Sequence, residues 1–300
     1  MNAHGPIVVG VDGSESAEGA VRWAARNAVR RSAPLHLIST VVVAGRHGVP
    51  ADLPQAFAND HEREGNRHLA RATEVARAEV ARAAAEAHPL TIEPELTWGH
   101  PADILLQRTD TARLLAVGSH GRGDRAGGRP GSVGATIAAH ARCPVAVIGE
   151  LAEPEGADGG PVVVGVDGSR NSEPALAEAF TEAALRGVEL VAVHAWSDTN
   201  ISSLFDEGRG LDWKSIHMRE EAQLAERLAG FGENFPEVHV TRVVVKDRPA
   251  RQLAELAERA QLVVVGCRGR GGFTGMLLGS TSRALMHTVT RPLLIVHPPH

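Results

Sequence analysis

Apolar positions along this chain fall into two kinds of stretch, and the two kinds alternate. Short, nearly unbroken apolar runs rich in valine and isoleucine read as buried strands. They span Ile7 to Asp12, Leu35 to Val43, Leu90 to Thr97, Leu114 to Val117 and Pro144 to Ile148. Between them apolar residues recur at helical spacing. Ala17, Ala20, Val21, Ala24 and Ala28 mark a first helix, with Ser14 or Asp12 at its N-cap. After a Gly- and Pro-rich loop from Gly45 to Pro54 comes a long helix, about His61 to Ala87. Its buried stripe is Leu69, Ala72, Ala76, Val80, Ala83 and Ala87, and Pro89 stops it. Short helices follow over Pro101 to Thr109 and from Ser132 to about Ala141.

The pattern then starts again. Glu150 to Gly160 is acidic and rich in Pro and Gly, and reads as a linker. Beyond it, Val162 to Ser169 repeats Ile7 to Ser14 nearly residue for residue. Glu189 to Ala195, Val238 to Val245, Leu262 to Val265 and Leu293 to Val296 repeat the other four strands, and Pro249 to Ala257 repeats a short helix. The offset between copies is 155 at the first strand and 148 at the fourth, which places a loss of length in the middle loop and helix of the second copy. This is a duplicated domain, 1–150 and 161–300, with a period far too long for a solenoid. Strands alternating with helices imply an α/β fold: two tandem, doubly wound, parallel five-stranded sheets of strand order 3-2-1-4-5. Ligands of such sheets sit beyond the carboxyl ends of strands one and four.

The most motif-like stretches lie at those ends. Gly10-Val11-Asp12 and Gly165-Val166-Asp167 close the first strands. After the fourth strands the pattern G-x2-G-x9-G-S occurs twice, as Gly118, Gly121, Gly131-Ser132 and as Gly266, Gly269, Gly279-Ser280. Gly271 and Gly272 add to the second loop, and Ser280 reads as the N-cap of a helix with Ala284, Leu285 and Thr288 on one face. Strand, glycine loop and helix start together form an anion site, because free backbone N–H groups and the positive end of a helix dipole converge there.

Composition narrows the ligand. The net charge of −5 argues against a nucleic-acid partner held by bulk electrostatics. No apolar run approaches a membrane span. The N-terminus lacks a secretory pattern, and the two cysteines form no C-x-x-C, so a cytoplasmic, disulfide-free protein is expected. The only lysines, Lys214 and Lys246, lie outside the glycine loops, so there is no P-loop, and no G-x-G-x-x-G follows the first strand. The histidines show no metal-ligand spacing, and the four tryptophans are too scattered for a base-stacking platform.

V-G-V-D-G-S at the first strand and G-x2-G-x9-G-S after the fourth resemble the universal stress protein family in its tandem, two-domain form. VHAWSD, TRVVVKDRPARQL and LVVVGCRGRGG in the second half are similar to actinobacterial members. The resemblance implies a Rossmann-like, adenine-nucleotide-binding fold, with ATP and accompanying Mg²⁺ at each site. By resemblance Asp12 and Asp167 lie near the ribose and phosphates, although both also read as N-caps. The backbones of Thr40 and Ala195 read the adenine edge. Gly118, Gly121, Gly131, Ser132 and their counterparts Gly266, Gly269, Gly279, Ser280 cradle the triphosphate, followed by Val133 and Thr281. Gly10, Gly165, Ser119, Cys267, Arg122 and Arg270 complete the expected set. His120 and its counterpart Arg268 read equally as phosphate contacts or as loop filling. The first copy departs from the pattern: Arg129-Pro130 replaces the apolar Leu277-Leu278, and Pro130 removes an N–H from the cradle. That ranks the second site above the first.

Each site offers one matched carboxylate, no lysine and no paired acid, so a nucleotide-dependent regulatory module in stress or growth control is expected rather than an enzyme. A slow ATPase or phosphotransferase is the alternative, and a flavin site is a third reading. The fifth strands, short and apolar, are expected to pair the two domains within one chain, with a homodimer as a further step.

Overall fold

The computed structural model describes residues 5–42, 55–83, 90–121, 131–149, 160–169, 172–196, 213–246, 248–269 and 277–298. The chain divides near residue 152 into two units. In the first, β1 (Ile7–Gly10), β4 (Leu114–Gly118) and β5 (Val145–Ile148) carry the apolar runs, and every residue in them but the terminal glycines is buried. Their continuous Val, Ile, Leu and Ala sequence suits strands covered on both faces. With β2 (Leu35–Val41) and β3 (Ile92–Trp98) they form the order β3-β2-β1-β4-β5, all parallel. β3 has only intermediate and exposed positions and carries Pro94, as an outer strand does. It starts two residues later than the apolar run predicts.

Helix α1 (Glu15–Arg31) packs against α2 (Gln55–Ala83) and the strands on one face of this sheet, and α3 (Pro101–Arg108) with α4 (Ser132–His140) covers the other. Ser14 is the N-cap of α1; its hydroxyl accepts the Ala17 N–H at 3.1 Å, and Glu15 and Glu18 sit at the positive helix end. The α2 stripe departs from expectation. Leu69, Ala72, Val75 and Ala76 are buried, but Val80 is half-buried and Ala83 exposed, and Ala87 lies outside the described residues. Glu79 takes the buried place instead, held by Arg26 at 3.3 Å and Arg82 at 2.7 Å. A buried carboxylate with two guanidinium partners escapes a purely apolar pattern.

The second unit repeats this plan: β6 (Val162–Val166), α5 (Glu173–Arg186), β7 (Leu190–Trp196), α6 (Trp213–Gly232), β8 (Val240–Lys246), α7 (Pro249–Ala257), β9 (Leu262–Gly266), α8 (Ser280–Thr288) and β10 (Leu293–Val296). Its parallel order is β8-β7-β6-β9-β10. The α5–α6 seam is aromatic: Phe180, fully buried, stacks on Phe231 and Phe235 at 5.4 and 5.6 Å. On the 155 offset the first unit has Ala25 and Ala76 where Phe180 and Phe231 stand, both fully buried. The missing length lies later than the middle loop. Register keeps the 155 offset through the second strands, and buried Leu69 and Leu224 keep it into the long helix. By the third strands it is 148. The loss therefore falls at the rear of the helix and the turn after it; α2 has 29 residues and α6 has 20.

Candidate functional site

Strand order reverses between β1 and β4, and again between β6 and β9, so each sheet opens a crevice there. On one side the chain leaves β1 through Asp12 and turns at Gly13, whose φ of +76° favours glycine. The Ser14 N–H donates to Asp12 Oδ1 at 2.9 Å. The second unit repeats the turn at Gly168, φ +75°, where the N–H and hydroxyl of Ser169 donate to Asp167 Oδ1 at 2.9 and 2.7 Å. The caps of α1 and α5 are Ser14 and Ser172, so neither aspartate is an N-cap. Each carboxylate is locked by its turn through Oδ1. Oδ2 meets the glycine loop: a Cβ on Gly121 would stand 3.1 Å from Asp12 Oδ2, and one on Gly269 2.8 Å from Asp167 Oδ2. A side chain at Gly269 would push the carboxylate aside, and one at Gly121 would crowd it.

On the other side the glycine loop is gathered at its neck. The Ser119 N–H donates to Ile148 O and the Gly131 N–H to Ser119 O, both at 2.8 Å. The same pair recurs as Cys267 N–H to Val296 O at 2.8 Å and Gly279 N–H to Cys267 O at 2.7 Å. Gly131 and Gly279 are the N-caps of α4 and α8, with no side chain capping either helix. The sequence pattern placed Ser280 in that role; it is the first helical residue instead. The buried face of α8 is Ser282, Leu285 and Met286, with Thr288 exposed. The first N–H groups of a helix have no partner within it, and here the residues that carry them, Ser132 to Gly134 and Ser280 to Ser282, line a cavity.

The first cavity, about 550 Å³, brings together Gly10, Asp12, Thr40, Gly118, His120, Gly121, Gly131, Ser132 and Val133. The second, about 380 Å³, brings together Gly165, Asp167, Ala195, Gly266, Arg268, Gly269, Gly279, Ser280 and Thr281. Ser119 and Cys267 are buried behind these walls. The Ser119 hydroxyl meets His120 Nδ1 at 2.8 Å. Burial pushes the Cys267 thiol up in pKa, partly opposed by Arg268, which keeps it a protonated, inert thiol. Arg122, Arg270, Gly271 and Gly272 lie outside the described residues, as does Pro130. Of the pair Leu277-Leu278, expected as an apolar brace for the second loop, Leu277 is 46% exposed and Leu278 half-buried.

Sequence reasoning missed one wall altogether. His61, Glu64, Gly65 and His68 of α2 line the first cavity. The available signal was a glycine inside an otherwise alanine-rich helix, which costs about 1 kcal/mol relative to alanine and marks a place where something comes close. Leu105 and Leu253 were also missed; each lies against a strand glycine, 2.9 Å from where a Cβ on Gly10 or Gly165 would be. Among the described residues no group of three His, Cys, Asp or Glu side chains is arranged to hold a metal ion. No described helix is long and apolar enough to cross a membrane.

The sequence profile of the universal stress protein family matches residues 4–149 and again 160–297. A universal stress protein of Mycobacterium tuberculosis is 42% identical over 296 residues, 97% of this chain and 96% of that one. A second from the same organism is 41% identical over 293 residues, covering 96% and 95%. The crystal structure of a universal stress protein from Archaeoglobus fulgidus shares the fold with a TM-score of 0.69 at 18% identity, over 99% of both chains. Two profile matches in tandem, relatives aligned end to end and a twice-built crevice lead to one conclusion: this chain belongs to the universal stress protein family.

Proposed function

We propose that the protein binds ATP at both crevices and that occupancy of these sites regulates its action on a partner in the stress response, within the cytoplasm. The observation that carries the reading is the repeated frame: an aspartate locked by its turn faces a glycine loop that ends on an uncapped helix N-terminus. The α4 and α8 N-termini and the loop N–H groups suit phosphate oxygens. The cavities are of the size that encloses a small ligand. Asp12 and Asp167 are placed to meet a Mg²⁺ carried by the phosphates, because Mg²⁺ is commonly held by one or two carboxylates plus phosphate oxygens. The metal would neutralise charge on the triphosphate. Among the described residues the glycine-loop end of each cavity carries one such carboxylate and no lysine, so turnover well below the roughly 1–100 s⁻¹ of kinases is expected.

Titration calorimetry with Mg·ATP tests the reading. A Cβ at Gly279 meets its nearest neighbour, Cys267 O, at 3.4 Å, an ordinary contact, so Gly279→Val keeps the fold while its methyl groups enter the cradle. Affinity at the second site should fall by roughly tenfold or more, about 1.4 kcal/mol, with native circular dichroism. Gly131→Val should do the same to the first site. No heat and no thermal shift with millimolar-range ATP in the unaltered protein would end the nucleotide reading.

A further inference from the structure

The two cavities differ where they approach the long helix of their domain. In the first, Gly65 of α2 lies over Ser39 of β2: a Cβ on Gly65 would stand 3.6 Å from Ser39 Oγ and 2.6 Å from Leu96 Cδ1. The Ser39 hydroxyl and the Leu96 side chain lie against the helix there, and Ser39, Gly65, His61, Glu64 and His68 all line the cavity. In the second domain, strand register puts His194 at the place of Ser39, and the shared 155 offset puts Glu220 at the place of Gly65. His194 Nδ1 lies 2.8 Å from Val166 O, and since a carbonyl only accepts, Nδ1–H is the donor. Nε2 meets Glu220 Oε2 at 3.0 Å, and the two side chains are 4% and 9% exposed. This buried hydrogen-bonded pair stands where the first domain has two small residues that line its cavity. Among the described residues none of α6 lines the second cavity, which is the smaller by volume.

The phosphate end of each cavity is set by α4 or α8 and the glycine loop, so the end at β2–α2 or β7–α6 receives the base. We propose that the first site accepts a purine nucleotide extended on its base by a polar, cationic substituent, and that the second site, plugged by His194 and Glu220, rejects it. The inference rests on the nucleotide reading above. The wall offered to the substituent is polar: the imidazoles of His61 and His68 and the Glu64 carboxylate, with His68 Nε2 and Glu64 Oε1 3.9 Å apart. Glu64, already beside His68, is the carboxylate of that wall and would take an ammonium group as an additional partner. Gly65 is the specificity-determining position, because any side chain on it must displace Leu96 and enter the opening.

The experiment compares ATP with ATP carrying an aminoalkyl chain on the exocyclic amine of adenine. Calorimetry is run on the full chain with one site disabled, by Gly279→Val to read the first and by Gly131→Val to read the second. The first site should bind the analogue within about threefold of ATP, and the second should lose roughly tenfold or more, about 1.4 kcal/mol. His194→Ser combined with Glu220→Gly removes both members of the pair, leaving no buried charge unpaired, and should bring the second site's analogue affinity up towards that for ATP. Equal discrimination at the two sites, or none at either, overturns the inference while the nucleotide reading stands. Failure of ATP itself to bind either site overturns the nucleotide reading. The comparison of the two unopened sites decides the matter even where the double variant does not fold.

Discussion

Between the two domains, the backbone around the glycine loop is what has stayed the same, and the contact between long helix and second strand is what has not. Asp12 and Asp167 make the same turn and press on the same loop glycine. The loop necks use the same two hydrogen bonds. A few residues away, Ser39 and Gly65 face His194 and Glu220 as equivalents of entirely different chemistry. A phosphate cradle made of backbone N–H groups depends on glycine and on chain geometry, so it tolerates little change. A side-chain wall is free to vary wherever the cavity can be reshaped without moving a strand. In a duplicated fold this separates what recognises an anion from what recognises the rest of the ligand.

The largest expected effect is at the plug. Glu220→Ala takes from buried His194 one of its two hydrogen-bond partners, leaving only Val166 O, and a buried polar group left unsatisfied costs about 1–3 kcal/mol. Hydrogen exchange at β7 should speed up accordingly, with β2 of the first domain unaffected. Glu220→Gln, which keeps a hydrogen bond, should cost less. A loss under about 1 kcal/mol for Glu220→Ala would mean that the pair does not shape the second domain, and the contrast with Ser39 and Gly65 would lose its physical basis.

Next comes alkaline stability. Burial pushes the Cys143 thiol up to about 12 from 9.0. Above pH 9 the unfolded chain gives up this proton while the folded chain keeps it. Stability is therefore lost as pH rises from 9 towards 12, by up to about 1.4 kcal/mol per pH unit. The chain has no tyrosine, which keeps that window uncrowded. Cys267 shifts the same way but is held back by Arg268, so the first domain should have the steeper slope. Denaturant unfolding from pH 8.5 to 10.5 on Cys143→Ala should show that slope flattened; an unchanged slope places its origin elsewhere.

The smallest effect separates the first helices. Ser14 caps α1 through its hydroxyl, whereas Ser172 makes no side-chain cap bond to α5 and donates to Ser169 O instead. Ser14→Ala should cost about 1 kcal/mol, and Ser172→Ala should fall below it. The reverse order in urea unfolding would show that the two turns, alike in their aspartates, hold their helices by different means.

Much of this architecture is visible in residue order because its causes are local. Val162 to Val166 is all apolar and lies in a sheet buried on both faces, so its strand is legible residue by residue. The necks of the glycine loops are legible because their glycines mark where the chain leaves a strand and enters a helix. What escapes is set by partners distant in sequence. Glu79 reads as a solvated charge until Arg26 is seen beside it. Gly65 reads as a flaw in a helix until Ser39 is seen beneath it. Leu277 reads as a brace because apolar residues usually are buried, and here it is exposed. Ser280 reads as the N-cap because serine is a preferred N-cap residue, and only the extended backbone of Gly279 shows that the glycine holds that place.

The necks of the two loops carry a thermodynamic consequence. In each domain the loop leaves and returns through neighbouring hydrogen bonds, Ser119 N–H to Ile148 O and Gly131 N–H to Ser119 O in one, their counterparts at Cys267 and Gly279 in the other. The ends of the segment between are thus brought together when the chain folds. For a segment of about eleven residues that closure costs roughly 2 kcal/mol of chain entropy, and it is charged to folding rather than to the arrival of a ligand. On the nucleotide reading, an anion entering either crevice would meet a loop whose two ends are already joined, so that part of the ordering cost would not fall on binding.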